Sequence, residues 1–119
     1  MSPSESRNLD SPHETRPFRA RGHMEVITLG DFTLARGTFE PGWRWSEDVK
    51  PIAGTDSCRT RHTGVCLSGR MDVAFDDGSE LHIGPGHVVV LEPGHDAWTV
   101  GEEPCVLLDT GVASYARPS

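Results

Sequence analysis

The sequence lacks a cluster of basic residues, although it contains 11 Lys and Arg among 119 residues. Its densest basic grouping is Arg59 and Arg61, and the formal net charge is −7. Nucleic acids and anionic membranes bind proteins through basic surfaces that displace counterions. The charge pattern therefore argues against nucleic acid or a membrane surface as a partner.

Long apolar runs are also absent. No stretch reaches the roughly 18 apolar residues that cross a bilayer, and the N-terminus has no apolar segment typical of a secretory signal. The three cysteines, Cys58, Cys66 and Cys105, cannot all pair within one chain. An odd number of cysteines without a signal favours reduced thiols. We therefore expect a soluble, cytoplasmic protein.

Several motifs that mark common enzyme sites are missing. The sequence has no GxGxxG before a helix, no GxxxxGK, no GxSxG and no CxxC. These absences argue against a dinucleotide site, a phosphate-binding loop, a nucleophile elbow and a zinc ribbon or thioredoxin-like site.

The first 22 residues differ in composition from the rest of the chain. They are rich in Ser, Pro, Arg and acidic residues, and Leu9 and Phe18 are their only large apolar side chains. Such a segment buries too little apolar surface to offset the entropy lost on ordering. We predict a flexible N-terminal arm over residues 1–22, which could dock through Phe18, followed by one domain over residues 23–119.

The remaining sequence has the pattern of short strands. Apolar residues alternate with polar ones in MDVAF and in SELHI, and VVVL and CVLL are short apolar runs. Turn residues separate these segments, and Asp77-Gly78 between MDVAF and SELHI is a strong hairpin signal. No stretch has a helical apolar stripe. With 13 Gly and nine Pro, the pattern predicts an all-β sandwich or barrel.

The segment from Gly69 to Trp98 resembles the cupin family. The second motif of that family is typically a Gly-Asp pair, an apolar strand, a Pro-x-Gly turn and a histidine. Here the sequence is Gly86-His87-VVVLE-Pro93-Gly94-His95, and PGWRW, GTDSC and PGHDAW look like segments of small bacterial cupins. The resemblance covers roughly residues 24–112. It implies a double-stranded β-helix, the cupin jelly-roll barrel.

The positions that bear metal ligands in the family carry an atypical set here. The first motif usually has His-x-His, then a Glu, and then a Gly seven residues later. Counting back from Gly69 brings Asp56, Cys58 and His62 near these positions, and Ala97 stands at the usual place of the second motif's histidine. The resemblance therefore does not imply the family's three-His, one-Glu site.

A different metal site is one interpretation of these residues. Cys58, His62 and His95 offer one sulfur and two nitrogens, a set that suits Zn²⁺ and, less specifically, Fe²⁺ or Cu. Asp56 lies two residues from Cys58, so the two share a face if this segment is a strand. The alternative is that Cys58 is a small core residue and His62 a hydrogen-bonded core histidine.

Three tryptophans could shape a pocket for a small-molecule ligand. Trp43 and Trp45 share a face at a period of two, and Trp98 follows the second motif. Large aromatic residues inside a small barrel can line an organic-ligand pocket. Ordinary core packing or a contact between subunits explains the same residues equally well.

Three functions remain open from the sequence. The first is a metal-dependent enzyme acting on a small organic molecule by oxygenation, isomerisation, cyclisation or hydrolysis. The second is a non-catalytic cupin that binds and senses a small ligand without metal, and the third is a structural dimerisation module. The resemblance also implies a homodimer, since cupins commonly pair.

Overall fold

The computed structural model describes residues 4–112, and nine strands form about half of this part of the chain. Two four-residue helices lie between the third and fourth strands. The elements are β1 (Glu14–Pro17), β2 (Gly22–Leu29), β3 (Phe32–Phe39), α1 (Trp45–Asp48), α2 (Lys50–Ala53), β4 (His62–Ser68), β5 (Arg70–Phe75), β6 (Glu80–Ile83), β7 (Val88–Leu91), β8 (His95–Val100) and β9 (Cys105–Asp109). Neither helix has the length or the apolar character needed to cross a membrane.

The strands form two sheets, and every pairing between them is antiparallel. One sheet has the order β1-β2-β3-β9-β4-β7 and the other the order β6-β5-β8. Buried side chains from both sheets form one hydrophobic cluster. The all-β architecture expected from the sequence is therefore confirmed.

The hairpin expected at Asp77-Gly78 joins β5 to β6. Gly78 has a φ of 92°, a conformation that residues with a Cβ rarely adopt. On β5, Met71 and Val73 are buried while Asp72 between them is only half-buried. The period-two pattern therefore identifies the inward face of this strand correctly.

The segment predicted to be a flexible arm, residues 1–22, joins the barrel from Glu14 onward. Strand β1 pairs with β2, and the buried ring of Phe18 stacks on Phe39 with centroids 5.4 Å apart. Arg16 Nη1 donates a hydrogen bond to the carbonyl of Val112. Composition misses this strand because backbone pairing at a sheet edge does not require apolar side chains. The outermost residues, 1–3 and 113–119, lie outside the described part of the chain.

Strands β4 and β9 approach each other closely beside the region described next. A Cβ at Gly64 would lie 1.7 Å from the carbonyl oxygen of Leu108, and one at Gly111 would lie 2.0 Å from the carbonyl oxygen of Arg61. Only glycine fits at these two positions. The close approach brings the first residue of β4, His62, next to the last residue of β9, Asp109.

Candidate metal centre

Three predicted site residues meet inside the barrel. The sulfur of Cys58 and one ring nitrogen each of His62 and His95 lie within 4.8 Å of one another. His62 begins β4 and His95 begins β8. Cys58 is held against β8 by two backbone hydrogen bonds, from its N–H to the His95 carbonyl (2.8 Å) and from the Gly94 N–H to its own carbonyl (2.7 Å). Backbone pairing therefore fixes the thiol beside both rings.

Hydrogen bonds orient both imidazole rings toward the thiol. Nδ1–H of His62 donates to Oδ2 of Asp109 at 2.5 Å, and Nδ1–H of His95 donates to the Glu92 carbonyl at 2.8 Å. In the neutral form of each ring the lone pair is then on Nε2, the atom that binds a metal. His62 Nε2 lies 3.5 Å from Cys58 Sγ.

Asp109 is a further site residue, which none of the sequence motifs indicates. Its buried carboxylate also accepts the backbone N–H groups of Thr63 (3.1 Å) and Gly111 (2.8 Å) through Oδ1. These two bonds hold the carboxylate in place against His62. One signal could have found it, since the period of two places Asp109 on the same face of β9 as the buried Cys105.

The protonation of Cys58 and His62 is coupled. Burial opposes ionisation of the thiol, but hydrogen bonds and charge from His62 and His95 outweigh it and lower the Cys58 pKa to about 6. Burial likewise opposes the imidazolium, but Asp109 and Cys58 outweigh it and raise the His62 pKa to about 9. At neutral pH the metal-free site is therefore a thiolate–imidazolium pair.

The spacing of Cys58 Sγ and His62 Nε2 fits a tetrahedral metal ion. Zinc binds thiolate sulfur at about 2.3 Å and imidazole nitrogen at about 2.0–2.1 Å, so a tetrahedral angle separates the two ligand atoms by about 3.5 Å. The Cys58 Sγ to His62 Nε2 distance is 3.5 Å. One sulfur and two nitrogens leave one of the four positions open.

Similarity to known proteins is found in structure and not in sequence. No protein-family model matches the chain, and no curated protein matches it. A double-stranded β-helix protein from Klebsiella pneumoniae has a TM-score of 0.60 at 21% identity, covering 93% of this chain and 94% of that one. A cupin 2 conserved barrel protein from Salinispora arenicola has a TM-score of 0.60 at 17% identity, covering 90% and 87%.

A sugar phosphate isomerase of the cupin superfamily from Silicibacter pomeroyi has a TM-score of 0.62 at 18% identity, covering 88% of this chain and 73% of that one. The chain has the cupin fold. At these identities the similarity shows the fold alone.

Asp56 does not join the cluster inside the cupin barrel. Its side chain is fully exposed, and its carboxylate lies 4.0 Å from the ammonium of Lys50. The expectation that Asp56 and Cys58 share an inward face requires a strand, but residues 55–57 form bends between α2 and an isolated bridge at Cys58. The period-two rule does not apply to such a segment.

The three tryptophans separate into two environments. Trp43 and Trp45 are each only 2% exposed and line a cavity together with His62 and His95. Trp98 lies on the other side of β8, with the Arg44 guanidinium 4.4 Å from the centre of its ring. Alternation explains the difference, since Trp98 follows an inward residue of β8.

The cavity itself is small. The centre of a water-sized sphere can occupy only about 30 Å³ inside it. The ring of Trp43 packs edge-on against Phe39, with centroids 4.6 Å apart, and so fills space that an organic ligand would need. Most of the remaining wall is apolar, with His62, His95 and Asp109 as the polar exceptions.

Proposed function

We propose that this chain is a metal-binding cupin protein that holds one divalent transition metal, Zn²⁺ or Fe²⁺, on Cys58, His62 and His95. The observation that carries the proposal is the 3.5 Å separation of Cys58 Sγ and His62 Nε2, with both rings oriented by hydrogen bonds through Nδ1. The sulfur and nitrogen set favours zinc. Because His62 and His95 line the cavity, the open position would face it.

The residues around the proposed metal have separate tasks. A bound metal would supply Lewis acidity to an oxygen ligand or lower the pKa of a bound water. Asp109 keeps the proton of His62 on Nδ1 and so presents Nε2 to the metal. The apolar wall of the cavity excludes bulk water, which strengthens electrostatic interactions at the site.

The size of the cavity argues against the chemistry named for one structural neighbour. Pockets for organic ligands usually measure about 300–1,000 Å³, whereas this one measures about 30 Å³. A sugar phosphate would not fit beside Trp43 and Trp45. The isomerase activity named for that neighbour is therefore not part of the proposed function.

Metal analysis of the native protein tests the proposal. Protein purified without an affinity tag or chelator should contain close to one equivalent of a transition metal by mass spectrometry. Cys58→Ser, His62→Ala and His95→Ala should each lose it. His82→Ala is a matched control, because His82 also pairs with an aspartate, Asp72, but is exposed on the surface.

Two results would contradict the metal proposal. One is a content below about 0.1 equivalent with no uptake of added Zn²⁺ or Fe²⁺. The other is full occupancy in both Cys58→Ser and His62→Ala. Circular dichroism of each variant would show whether lost metal reflects a lost ligand or a lost fold.

A metal-free thiol function is the second candidate, and a specific alignment favours it. The arrangement resembles the nucleophile, base and orienting carboxylate of hydrolases. Cys58 Sγ lies 3.5 Å from His62 Nε2, and His62 Nδ1 lies 2.5 Å from Asp109 Oδ2. His95 distinguishes the two candidates. His95→Ala should abolish metal binding but leave the Cys58 thiolate reactive toward a small alkylating agent.

Binding of a small ligand without metal, as in a sensory cupin, is the remaining alternative. A ligand present at a hundred times its Kd adds about 2.7 kcal/mol to stability. A thermal-shift screen of chelator-treated protein would detect such a ligand as a rise in Tm. A cytoplasmic location also stays a prediction.

A further inference from the structure

Large side chains fill the interior of this barrel almost completely. Trp43 and Trp45 are 2% exposed, Met71 2% and Met24 1%, and all four line the cavity beside His62 and His95. They come from α1, its preceding loop and both sheets. A ligand at the open metal position could occupy only the space that these four side chains leave free.

The remaining space corresponds to a few atoms. A single water needs about 10–15 Å³ by this measure, and the cavity offers about 30 Å³. Two water-sized groups therefore fit. A molecule of two or three non-hydrogen atoms matches this volume, whereas an aromatic ring exceeds it.

The wall of the cavity is anchored at several points. The Trp43 carbonyl accepts the Thr99 N–H at 3.0 Å, and its ring packs against both Phe39 (4.6 Å) and Phe18 (5.8 Å). Trp45 is the first residue of α1, and the next residue, Ser46, donates its backbone N–H to the carboxylate of Asp96 at 3.0 Å. Enlarging the cavity would require breaking these core contacts together.

We propose that the open metal position accepts only ligands of two or three non-hydrogen atoms, of the size of azide, formate or dioxygen, and that Trp45 and Met71 set this limit. The inference rests on the proposed metal site. Formate and benzoate form a matched pair for testing it, since both ligate through a carboxylate and differ in the ring. The structure assigns selectivity to size and not to ligand charge.

The test uses the full chain loaded with Co²⁺, whose visible absorption bands respond to the fourth ligand. Formate should shift these bands, and benzoate should bind at least about 100-fold more weakly. Met71→Ala and Trp45→Ala enlarge the cavity and should reduce the difference in affinity between formate and benzoate. Trp98→Ala, on the outer face, should leave it unchanged.

The outcomes separate the two proposals. Absence of Co²⁺ bands that depend on Cys58 overturns the proposed function, and the size limit with it. Co²⁺ bands that respond equally to formate and benzoate in the parental protein overturn the size limit alone. If Trp45→Ala does not fold, the parental comparison and Met71→Ala still decide the result.

Discussion

Metal binding at Cys58, His62 and His95 should strengthen about tenfold for each pH unit between pH 6 and pH 9. The two limits are the pKa values of Cys58, about 6, and His62, about 9. Between them Cys58 is already a thiolate, whereas His62 still carries a second proton. A metal binds only the neutral imidazole, so one proton must leave for each metal bound.

The expected magnitude follows from this proton count. One displaced proton changes the free energy of binding by about 1.4 kcal/mol for each pH unit, or about 4 kcal/mol over the whole interval. The sign is fixed by the raised pKa of His62, since lowering the pH below 9 favours the imidazolium and opposes the metal. Below pH 6 the Cys58 thiol is also protonated, so that two protons must leave for each metal bound. The affinity should then change about a hundredfold for each pH unit.

Competition with a chromophoric zinc chelator of known pH dependence, at constant ionic strength, measures this slope. Asp109→Asn is the informative variant, because it removes the carboxylate that holds the extra proton on His62. The upper limit of the pH-dependent range should fall below 9, and affinity above that pH should drop by about 10–100-fold. An affinity that does not change between pH 6 and 9, or that changes a hundredfold per unit, would refute the reasoning.

Three further outcomes are expected. Trp43→Ala should lower the free energy of unfolding by about 3–5 kcal/mol in urea denaturation, because the ring is buried at 2% exposure; a loss below about 1 kcal/mol would contradict its role in the core. Gly64→Ala should disrupt the pairing of β4 with β9, since its Cβ would lie 1.7 Å from the Leu108 carbonyl oxygen; an unchanged Tm would contradict this. A homodimer should show twice the chain mass by light scattering. Val88→Lys should weaken the association of its two subunits, because Val88 and Val90 are 81% and 52% exposed on the edge strand β7. A single-chain mass at high protein concentration would exclude the homodimer.

The sequence predicts the barrel well because strand faces and turns are encoded locally. The alternation around Met71 and Val73 and the Asp77-Gly78 turn each depend on neighbouring residues only. Strand β1 was not predicted, since its backbone pairing with β2 leaves no mark in composition. Asp56 would share the inward face of Cys58 only if its segment were a strand, and the structure has bends there, which no nearby residue pattern indicates.

The cluster was predicted in part, and the missing residue shows where local reasoning ends. Cys58, His62 and His95 were identified from their chemistry and from positions matched to a family motif. Asp109 lies 47 residues from His62 in sequence. Their contact depends on β4 and β9 pairing in one register, which in turn depends on the closeness that Gly64 permits.

The sequence also could not decide between a pocket and a packed core at Trp43 and Trp45. Alternation states which face of the chain is inward, but free volume is what remains after side chains from both sheets have been placed. The free volume is a small difference between two large volumes, so replacing one methionine, such as Met71, can change the free volume severalfold. For the proposed function the cavity is therefore the sharpest constraint, because metal ligation is compatible with many reactions while a space of about 30 Å³ admits few ligands.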